Sequence, residues 1–488
     1  MLVLLARSLA PVLAIVGCAF MLPLAVAWRY GETGHLRDFL LPALAAWIIA
    51  LGCSRLGRLQ QRLGAMHNAF AIVGGAWLAV GFFGSLPFAL SGCFPNYIDA
   101  LFESVSGFTT TGASVLGDVE SLPRCLNLWR CLTHWLGGMG VIALAVAIIP
   151  MLGAGGYRLV QAETTGPEKG RLTTRMRDTA KILWTIYIAL TVLQTLLLAF
   201  AGMGWFDALC HAFSTIGTGG FSTRNASIAA FSLPAVEWIC TAFMLAASVN
   251  FAVYYLMLTG RWREVAGNSE LRGFVFIVVA SCVAVVGANL AGGAPWVRCV
   301  RDGMFQVAAV VSTTGFCSAD YMQWAPAAQA VVLALFLVGG CAGSTAGGVK
   351  VVRWTVLAKQ LRNDVERLLH PHGVFTLRIN GSPARTETVS VVATFIFVYV
   401  LLAVISTFIG ALAGLDLFTA LTAALSMQGN IGPAFGSLGP TSNYGAIAPA
   451  LKWWYCFAML AGRLEIYTLL IMVGGMRASL PRSQDRRI

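Results

Sequence analysis

The segment SVSGFTTTGASV, residues 104–115, combines three consecutive threonines with glycines in a chain that is otherwise strongly apolar. Backbone polar groups cannot be left unpaired against lipid, because each unpaired N–H or C=O group is costly there. A hydroxyl-rich segment interrupted by glycine must therefore be buried in protein or line a water-filled cavity. The sequence on either side decides between these two settings.

The whole chain has the composition of a polytopic membrane protein. Of its 488 residues, 58% are hydrophobic and 11% are charged, and the mean hydropathy is +0.75. A helix needs about 20 apolar residues to cross a hydrocarbon core of about 30 Å. Such runs predict ten spans, near residues 8–28, 38–54, 68–91, 131–152, 182–203, 232–258, 273–294, 326–349, 389–413 and 451–475. The first run contains IVGC at 15–18, which resembles a lipoprotein signal, but it continues to Trp28 and is favoured as a span.

The net charge of +12 is explained by membrane topology and not by binding to nucleic acid. If the N-terminus is cytoplasmic, most basic residues face the cytoplasm, as expected when positive charge is retained inside. The C-terminus is then cytoplasmic as well. The basic residues of the outer segments are Arg29, Arg37, Arg124, Arg130, Arg224, Arg298, Arg301 and Lys452.

The twelve cysteines are scattered and form no CxxC pair, so they are interpreted as small apolar residues. A disulfide between Cys93 and Cys125 on the outer side stays open as an alternative.

Four segments of the chain repeat one pattern. They are IDALFESVSGFTTTGAS (98–114), FDALCHAFSTIGTGGFS (206–222), RDGMFQVAAVVSTTGFC (301–317) and LDLFTALTAALSMQGNIGPAF (415–435). Each carries an aspartate near its start and a glycine near its end, namely Asp99 and Gly112, Asp207 and Gly220, Asp302 and Gly315, and Asp416 and Gly432. The apolar stretch between them is too short to span a bilayer and suits a re-entrant half-helix, with the aspartate near its N-terminus. Four core helices that each end at glycine are the alternative.

The repeat predicts an all-α polytopic fold in which span, half-helix, glycine turn and span occur four times around one pore, after two extra N-terminal helices. The predicted domains are the two N-terminal helices at 1–64 and four pore repeats at 65–155, 156–265, 266–370 and 371–488. All four glycine turns then enter from the outer face and can surround one axis.

Four converging turns can coordinate a dehydrated monovalent cation, because rings of backbone carbonyls replace its water shell. The aligned turns are Thr110, Thr111, Gly112; Thr218, Gly219, Gly220; Thr313, Thr314, Gly315; and Asn430, Ile431, Gly432. Glycine at the last position permits a positive φ or close backbone approach. The turns contain no Asp or Glu, which disfavours a divalent-selective ring of carboxylates.

The eighth predicted span contains LALFLVGGCAGSTAGGVKVVRW, residues 333–354, with five glycines between Gly339 and Gly348. Each glycine weakens a helix by roughly 1 kcal/mol relative to alanine, so a break is predicted at membrane depth, where it must face the pore. The candidate gate residues are Gly339, Gly340, Gly343, Ser344, Thr345, Gly347, Gly348, Lys350 and Arg463. Arg463 is predicted to contact this segment and to repel cations below the filter; pairing with Glu465 or snorkelling toward the cytoplasm is the alternative.

The strings SGFTTTGASV (106–115), STIGTGGFSTRNASI (214–228), VVSTTGFCSADY (310–321), GNIGPAFGSLGP (429–440), GGCAGSTAGGVKVVR (339–353) and AGRLEIYTLL (461–470) resemble the Trk/Ktr/HKT superfamily of potassium transporters. They are most similar to the TrkH-type membrane subunits of bacterial Trk uptake systems, and the two added N-terminal spans favour that branch. The resemblance implies potassium uptake across the bacterial inner membrane, potassium in the filter, a homodimer and a cytosolic regulatory partner that carries a nucleotide. It also implies that the glycine-rich segment obstructs conduction from below the filter.

Two long basic segments, 157–181 and 353–385, are predicted to lie at the inner leaflet and to dock the regulatory partner. An enzyme is not expected, because the six histidines lack HExxH spacing, GxSxG is absent, and His370 with His372 gives an incomplete metal site. A cation-coupled symporter of potassium or sodium remains the alternative to a passive channel.

Overall fold

The computed structural model describes residues 2–57, 66–151, 176–373, 375–380, 382–383 and 386–465. Within these residues the fold is almost entirely helical, as the sequence predicts, with one antiparallel hairpin. The elements in chain order are α1 (Leu2–Ala19), α2 (Met21–Arg29), α3 (Leu36–Gly57), α4 (Met66–Leu90), α5 (Tyr97–Phe108), α6 (Arg124–Met151), α7 (Met176–Phe200), α8 (Trp205–Ile216), α9 (Pro234–Ser248), α10 (Phe251–Leu258), α11 (Trp262–Gly267), α12 (Ser269–Ala291), α13 (Trp296–Val311), α14 (Pro326–Leu335), α15 (Val351–Leu369), β1 (Arg378–Ile379), β2 (Ser382–Pro383), α16 (Thr386–Leu412), α17 (Leu417–Gly429) and α18 (Pro449–Arg463).

Six helical stretches in the described part of the chain are long and apolar enough to cross a membrane. They are Leu9–Arg29, Thr33–Arg55, Val73–Leu90, Lys181–Phe200, Ser269–Ala291 and Thr388–Leu412. Helices α9 and α10 pass the same test together, although they are bent by 95° at the break between them. These stretches agree with seven of the ten predicted spans.

The three other predicted spans are not among these stretches. Helix α6 covers the predicted span 131–152 up to Met151. Helix α14 has only 10 residues, so the predicted span 326–349 is a short helix followed by non-helical chain. Helix α18 has 15 residues, and the predicted span beyond residue 465 lies outside the described residues.

Four short helices lie between the longer ones in chain order. They are α5, α8, α13 and α17, with 12, 12, 16 and 13 residues. Helices of this length cannot cross a hydrocarbon core. They are nevertheless heavily buried, since almost every residue in the C-terminal half of each is inaccessible to solvent. One of these four helices thus falls in each predicted repeat, whereas the repeat boundaries themselves stay a prediction.

The four aspartates that mark the repeats do not occupy equivalent positions. Asp99 and Asp207 lie in the first turns of α5 and α8. Asp416 is the N-cap of α17, and its Oδ1 accepts a hydrogen bond from the backbone N–H of Thr419 at 3.0 Å. Asp302 lies well inside α13, because that helix already begins after Pro295. The predicted N-terminal position is therefore wrong for the third aspartate.

The N-terminal helices are anchored to the N-terminal end of α6. The carboxylate of Glu32, in the connection from α2 to α3, accepts hydrogen bonds from the backbone N–H groups of Arg124 at 2.8 Å and Cys125 at 3.0 Å. A carboxylate at this position satisfies free N–H groups and the positive end of the helix dipole. Phe20 packs against Trp129 with ring centroids 4.5 Å apart. Helix α2 and its following turn are thereby fixed against the first repeat.

The structure settles three smaller points of the sequence interpretation. Cys93 and Cys125 are free thiols, so the alternative disulfide is wrong. Of the two predicted basic segments, residues 157–175 lie outside the described residues, and the second begins as helix α15 and continues into the β1–β2 hairpin. Arg130 and Lys452, counted among the outer charges, are buried in ion pairs.

Candidate functional site

Each of the four short helices ends in a turn whose first residue has a left-handed backbone. This residue is Thr110, Thr218, Thr313 or Asn430, and its φ is 54° or 55° in all four turns. The residue two positions later is the predicted glycine, with φ of 79°, 82°, 74° and 101° in chain order. We name these segments turn 1 (residues 110–112), turn 2 (218–220), turn 3 (313–315) and turn 4 (430–432).

The same two backbone hydrogen bonds stabilise every turn. The N–H of the left-handed residue donates to the carbonyl three residues earlier over 2.9 to 3.4 Å. The next N–H donates to the carbonyl five residues earlier over 2.8 to 2.9 Å. This is the Schellman arrangement, which usually places glycine at the left-handed position. A β-branched threonine is unfavourable there, and such strain is typical of functional sites.

The four turns contact one another in a closed ring. At each turn glycine, an added Cβ atom would overlap or crowd the carbonyl oxygen of the middle residue of a neighbouring turn. The pairs are Gly112 with Gly219 O, Gly220 with Thr314 O, Gly315 with Ile431 O, and Gly432 with Thr111 O. The ring therefore follows chain order and closes between the first turn and the last. Only glycine allows this approach of one backbone to the next.

The turn glycines also share a cavity. All four line one polar cavity of 170 Å³, together with Ser114, Ser222 and Ser442. The glycines predicted from the repeat are thus neighbours in space. The turns carry backbone carbonyls and hydroxyls, which are the oxygen donors that hard cations prefer.

Two side-chain oxygens of the ring have no hydrogen-bond partner among the described residues. They are Thr110 Oγ1 and Asn430 Oδ1, and both are buried. The amide of Asn430 is held in place, because its Nδ2 donates to Thr111 Oγ1 at 2.9 Å and to Met459 O at 3.0 Å. Buried oxygens normally find a partner, so these two are available to a ligand.

A buried ion pair lies behind turns 1 and 2. Arg130 Nε donates to Glu103 Oε1 at 2.8 Å, and the two side chains are 1% and 0% exposed. Glu103 also accepts hydrogen bonds from Ser114 Oγ at 2.9 Å and Val115 N at 3.0 Å, just beyond turn 1. Arg130 Nη1 donates to Ser222 O at 3.1 Å, just beyond turn 2. The pair therefore joins the chain segments that leave the two turns.

Two further contacts fix the surroundings of turn 1. His134 Nδ1 donates to Gly107 O in α5 at 2.8 Å, and its Nε2 accepts from the N–H of Phe221 at 3.2 Å. Lys452 Nζ donates to Asp99 Oδ1 at 2.6 Å and links α18 to α5. His134 thus connects α5 with the residue that follows turn 2, and Lys452 connects α18 with α5.

The segments beyond turns 1 and 2 are also joined at the surface. Asn225 Oδ1 accepts a hydrogen bond from Val119 N at 2.7 Å, and the backbone N–H of Asn225 donates to Glu120 Oε1 at 3.1 Å. The amide of Asn225 donates to Asp118 Oδ1 at 2.7 Å, and this hydrogen bond lowers the pKa of the Asp118 carboxyl below its ordinary value. The Asp118 carboxyl therefore stays ionised to a lower pH than a free aspartate does.

The predicted helix break is present, and residues 336–350 form a non-helical loop against the ring. In this 336–350 loop, the N–H of Gly347 donates to Thr313 Oγ1 in turn 3 at 2.7 Å. Thr345 Oγ1 donates to Ile216 O at the end of α8 at 2.9 Å. A Cβ atom at Gly347 would lie 2.7 Å from Gly429 O at the end of α17. The loop thus touches the C-terminal ends of three of the four short helices.

The same loop is held to the bend between α9 and α10. Cys341 N donates to Ser248 O at 2.9 Å, and Phe251 N donates to Gly343 O at 3.1 Å. Lys350 Nζ donates to the carbonyl four residues earlier, within the loop itself. Two broken helices therefore satisfy each other's free backbone groups, which is the condition for non-helical chain at membrane depth.

Arg463, the last residue of α18, contacts the loop. Its Nη1 donates to Thr345 O at 2.8 Å and its Nη2 donates to Gly137 O in α6 at 3.3 Å, and the residue is 7% exposed. Glu465 pairs with Arg353 at 2.6 Å, so the alternative pairing of Arg463 with Glu465 is wrong. Arg463 places a buried positive charge between the loop and the first repeat.

The family of cation transport proteins named TrkH matches residues 44–479 of the chain. The chain belongs to the TrkH family. Among curated TrkH relatives, the Trk system potassium uptake protein TrkH of Halomonas elongata is 39% identical over 416 residues, which are 83% of this chain and 85% of that protein. The protein of the same name from Escherichia coli strain K12 is 38% identical over 428 residues, which are 85% and 86% of the two chains.

A solved structure agrees with the TrkH assignment. The crystal structure of the potassium transporter TrkH from Vibrio parahaemolyticus matches with a TM-score of 0.86 and 32% identity, over 96% of this chain and 98% of that chain. As a TrkH family member with at least six apolar helices long enough to span, the chain is a multi-pass inner membrane protein. It belongs to a transport family and not to an enzyme family.

In this TrkH family member, the sequence identified the four turns, the loop and Arg463, and the structure brings them together. The sequence did not identify Glu103 or His134 as part of the site. It identified Arg130 and Lys452 only as outer charges. One signal was available for Glu103, because a carboxylate in the middle of an apolar half-helix demands a buried partner. The sequence offers no comparable signal for the left-handed threonines.

Proposed function

We propose that this chain is the membrane subunit of a bacterial potassium uptake system and that potassium passes through the ring of four turns. The observation that carries the proposal is the closed set of contacts between each turn glycine and the carbonyl of a neighbouring turn. A ring of carbonyls replaces the water shell of an alkali cation without a fixed negative charge that would trap it. The names of the relatives support potassium as the ion.

The proposed filter consists of the three residues of each turn. The ligands are oxygen atoms of Thr110, Thr111, Thr218, Gly219, Thr313, Thr314, Asn430 and Ile431. Gly112, Gly220, Gly315 and Gly432 supply the backbone conformation that lets the turns approach one another. The absence of Asp and Glu from the turns favours a monovalent ion over a divalent one.

The 336–350 loop is the proposed gate, and Arg463 holds it closed. Its loop members are Gly339, Gly340, Gly343, Ser344, Thr345, Gly347, Gly348 and Lys350. The loop contacts turn 3 directly, and Arg463 adds a buried positive charge that repels cations leaving the ring. Conduction then requires the loop and Arg463 to move away from the ring.

The proposed assembly is a homodimer controlled by a cytosolic nucleotide-binding subunit. The relatives are named as members of a Trk system, which supports a further component. The partner would dock on the basic segments 157–181 and 353–385 on the cytoplasmic side, where both termini are also expected. The nucleotide is expected on the partner and not on this chain.

Rubidium uptake into vesicles containing the purified full chain tests the filter. Gly112→Ala should reduce uptake at least about tenfold, the effect of about 1.4 kcal/mol on a barrier. The added methyl group would overlap Gly219 O. Residue 112 also has a φ of 79°, which strains any residue that has a Cβ atom. Gly117→Ala is the matched control, because an added Cβ atom meets nothing within 4 Å at Gly117 and the φ of Gly117 is not in the left-handed region. Normal uptake by a correctly folded Gly112→Ala variant would contradict the proposal.

The same vesicles separate passive flow from coupled transport. The reversal potential should follow the potassium gradient and stay unchanged when a proton or sodium gradient is imposed, since a continuous ring needs no second ion. A reversal potential that shifts with either gradient would instead support a symporter.

A further inference from the structure

An apolar cavity of 530 Å³ lies among helices α1, α4, α6 and α7 and shares no lining residue with the polar cavity at the ring. Its walls include Val16, Trp77, Leu132, Trp135 and Trp184, and every described residue that lines it is apolar or glycine. Apolar cavities do not retain water, because water needs two or more polar partners to stay. The volume lies within the range of about 300–1,000 Å³ that is typical of ligand pockets.

The cavity is continuous with the surface of the chain that faces lipid. Ile15 and Leu22 both line it, and they are 57% and 53% exposed on the membrane-spanning stretch Leu9–Arg29. Cys18 lies between them and is also exposed. An occupant can therefore enter from the bilayer along α1 without crossing polar surface.

The polar atom of one wall residue is already satisfied inside the protein. Trp135 Nε1 donates to Thr191 Oγ1 in α7 at 3.1 Å, so its ring presents only apolar surface to the cavity. Among the described residues that line the cavity there is no lysine, arginine or histidine to bind a phosphate headgroup. The chemistry of the walls selects a hydrocarbon chain.

We propose that this cavity holds one acyl chain of a membrane phospholipid, with the headgroup remaining outside the cavity. The occupant follows from the apolar walls, the volume and the opening toward the bilayer. The bilayer supplies acyl chains at very high local concentration, so a modest affinity is sufficient. This site is separate from ion permeation and does not depend on the identity of the ion.

The far wall of the cavity connects the acyl chain to the ring and the loop. Phe108, the last residue of α5 before turn 1, lines the cavity together with Gly137 of α6. Gly137 packs against the carbonyl of Phe108, and the carbonyl of Gly137 accepts the hydrogen bond from Arg463. An acyl chain in the cavity therefore touches Phe108, which precedes turn 1, and Gly137, whose carbonyl binds Arg463.

Photo-crosslinking can locate the bound acyl chain. The purified full-length protein is reconstituted in phosphatidylethanolamine vesicles containing a phospholipid with a diazirine near the end of one acyl chain, irradiated, and mapped by peptide mass spectrometry. Wild-type protein should be labelled at the buried wall, at Leu132, Trp135 or Trp77, in addition to the exposed Ile15 and Leu22. Labels confined to exposed residues would overturn the proposal.

A substitution that fills the cavity provides a second test of the proposal. At Gly140 an added Cβ meets only Trp77 Cζ2, at 3.9 Å, so Gly140→Leu fills the cavity without a backbone clash. Labelling of the buried wall should fall about tenfold, which corresponds to about 1.4 kcal/mol of affinity. Gly287→Leu on α12 is the matched control, because its Cβ meets nothing within 4 Å, and it should leave the buried label unchanged.

The Ala76→Leu substitution narrows the same cavity from α4. It replaces Gly140→Leu in the experiment if the Gly140→Leu variant does not fold. Equal labelling of the buried wall in wild type and in a folded cavity-filled variant would overturn the proposal. So would a loss of buried label in Gly287→Leu as large as that in Gly140→Leu, since the loss would then not be local.

Discussion

At the scale of single residues, Thr110, Thr218 and Thr313 adopt a backbone that glycine would adopt without strain. The left-handed conformation costs a residue with a Cβ atom roughly 1–2 kcal/mol. What the threonines add is a hydroxyl at the end of each helix, and Thr313 uses it to accept a hydrogen bond from the loop. The strained residues are thus also the residues that offer oxygen atoms at the ring.

The ion pair behind the ring gives a prediction for stability. Arg130→Met removes the partner of Glu103 and leaves a carboxylate buried without compensation, which should cost roughly 3–5 kcal/mol. Thermal unfolding in detergent measures the loss. Arg37→Met is the control, since the Arg37 side chain is 81% exposed and should contribute almost nothing.

A double substitution distinguishes loss of the pair from loss of packing. Glu103→Gln combined with Arg130→Met removes both charges, so the double variant should be more stable than Arg130→Met alone. If the double variant were as unstable as the single variant, the pair would act mainly through its shape, and the electrostatic account would fail.

At the scale of elements, the 336–350 loop and the bend between α9 and α10 are one unit, because each satisfies backbone groups that the other leaves free. The loop rests on turn 3 and on the ends of α8 and α17, and Arg463 ties it to α6. A movement of this unit away from the ring breaks the hydrogen bond from Gly347 N to Thr313 Oγ1 and changes the space next to the ring. The proposed gate and the proposed filter are thus in direct contact at turn 3.

Arg463→Ala should raise basal rubidium uptake, because it removes both the positive charge and the hydrogen bond to Thr345 O. A barrier lowered by about 1.4 kcal/mol gives roughly tenfold faster uptake. Arg463→Lys keeps the charge and should retain most of the barrier. Unchanged uptake and regulation in a folded Arg463→Ala variant would contradict a role in gating.

The sequence predicted these elements to different degrees, for physical reasons. The short helices were predictable because an apolar stretch of their length is too short to span a bilayer and recurs four times with the same flanking residues, and the loop because five glycines weaken a helix. The register of α13 was mispredicted, since helix continues from Trp296 through Asp302 and the aspartate is held by arginines on its own helix. The Glu103–Arg130 pair depends on tertiary contacts that local pattern does not encode.

At the scale of the whole molecule, the first and last repeats meet at a seam. Gly432 in turn 4 packs so closely that an added Cβ atom would crowd Thr111 O. In addition, Tyr444 N donates to Ser114 O at 2.8 Å, and Lys452 pairs with Asp99. The seam is as well connected as the junction between the first two repeats. The four segments are therefore held by contacts around the whole ring and not only by chain connectivity.

Docking of a cytosolic partner is a property of the whole assembly. Helix α15 presents exposed basic side chains such as Arg362 and Arg367. Arg362→Glu with Arg367→Glu should weaken retention of the partner in a pull-down from cells that make both proteins, because charge reversal opposes electrostatic attraction. Arg37→Glu is the control, with an exposed fraction of 81% equal to that of Arg362. Undiminished retention in the double variant would contradict docking at α15.

The order of the ring along the chain has a consequence for biosynthesis. Turn 4 is made long after turn 1, and the gap between turns 3 and 1 is filled only when α17 and α18 have entered the membrane. A polypeptide that ends before turn 4 holds three of the four turns, so the ring of turns cannot close. The contacts that close the ring therefore form only after turn 4 has been synthesised.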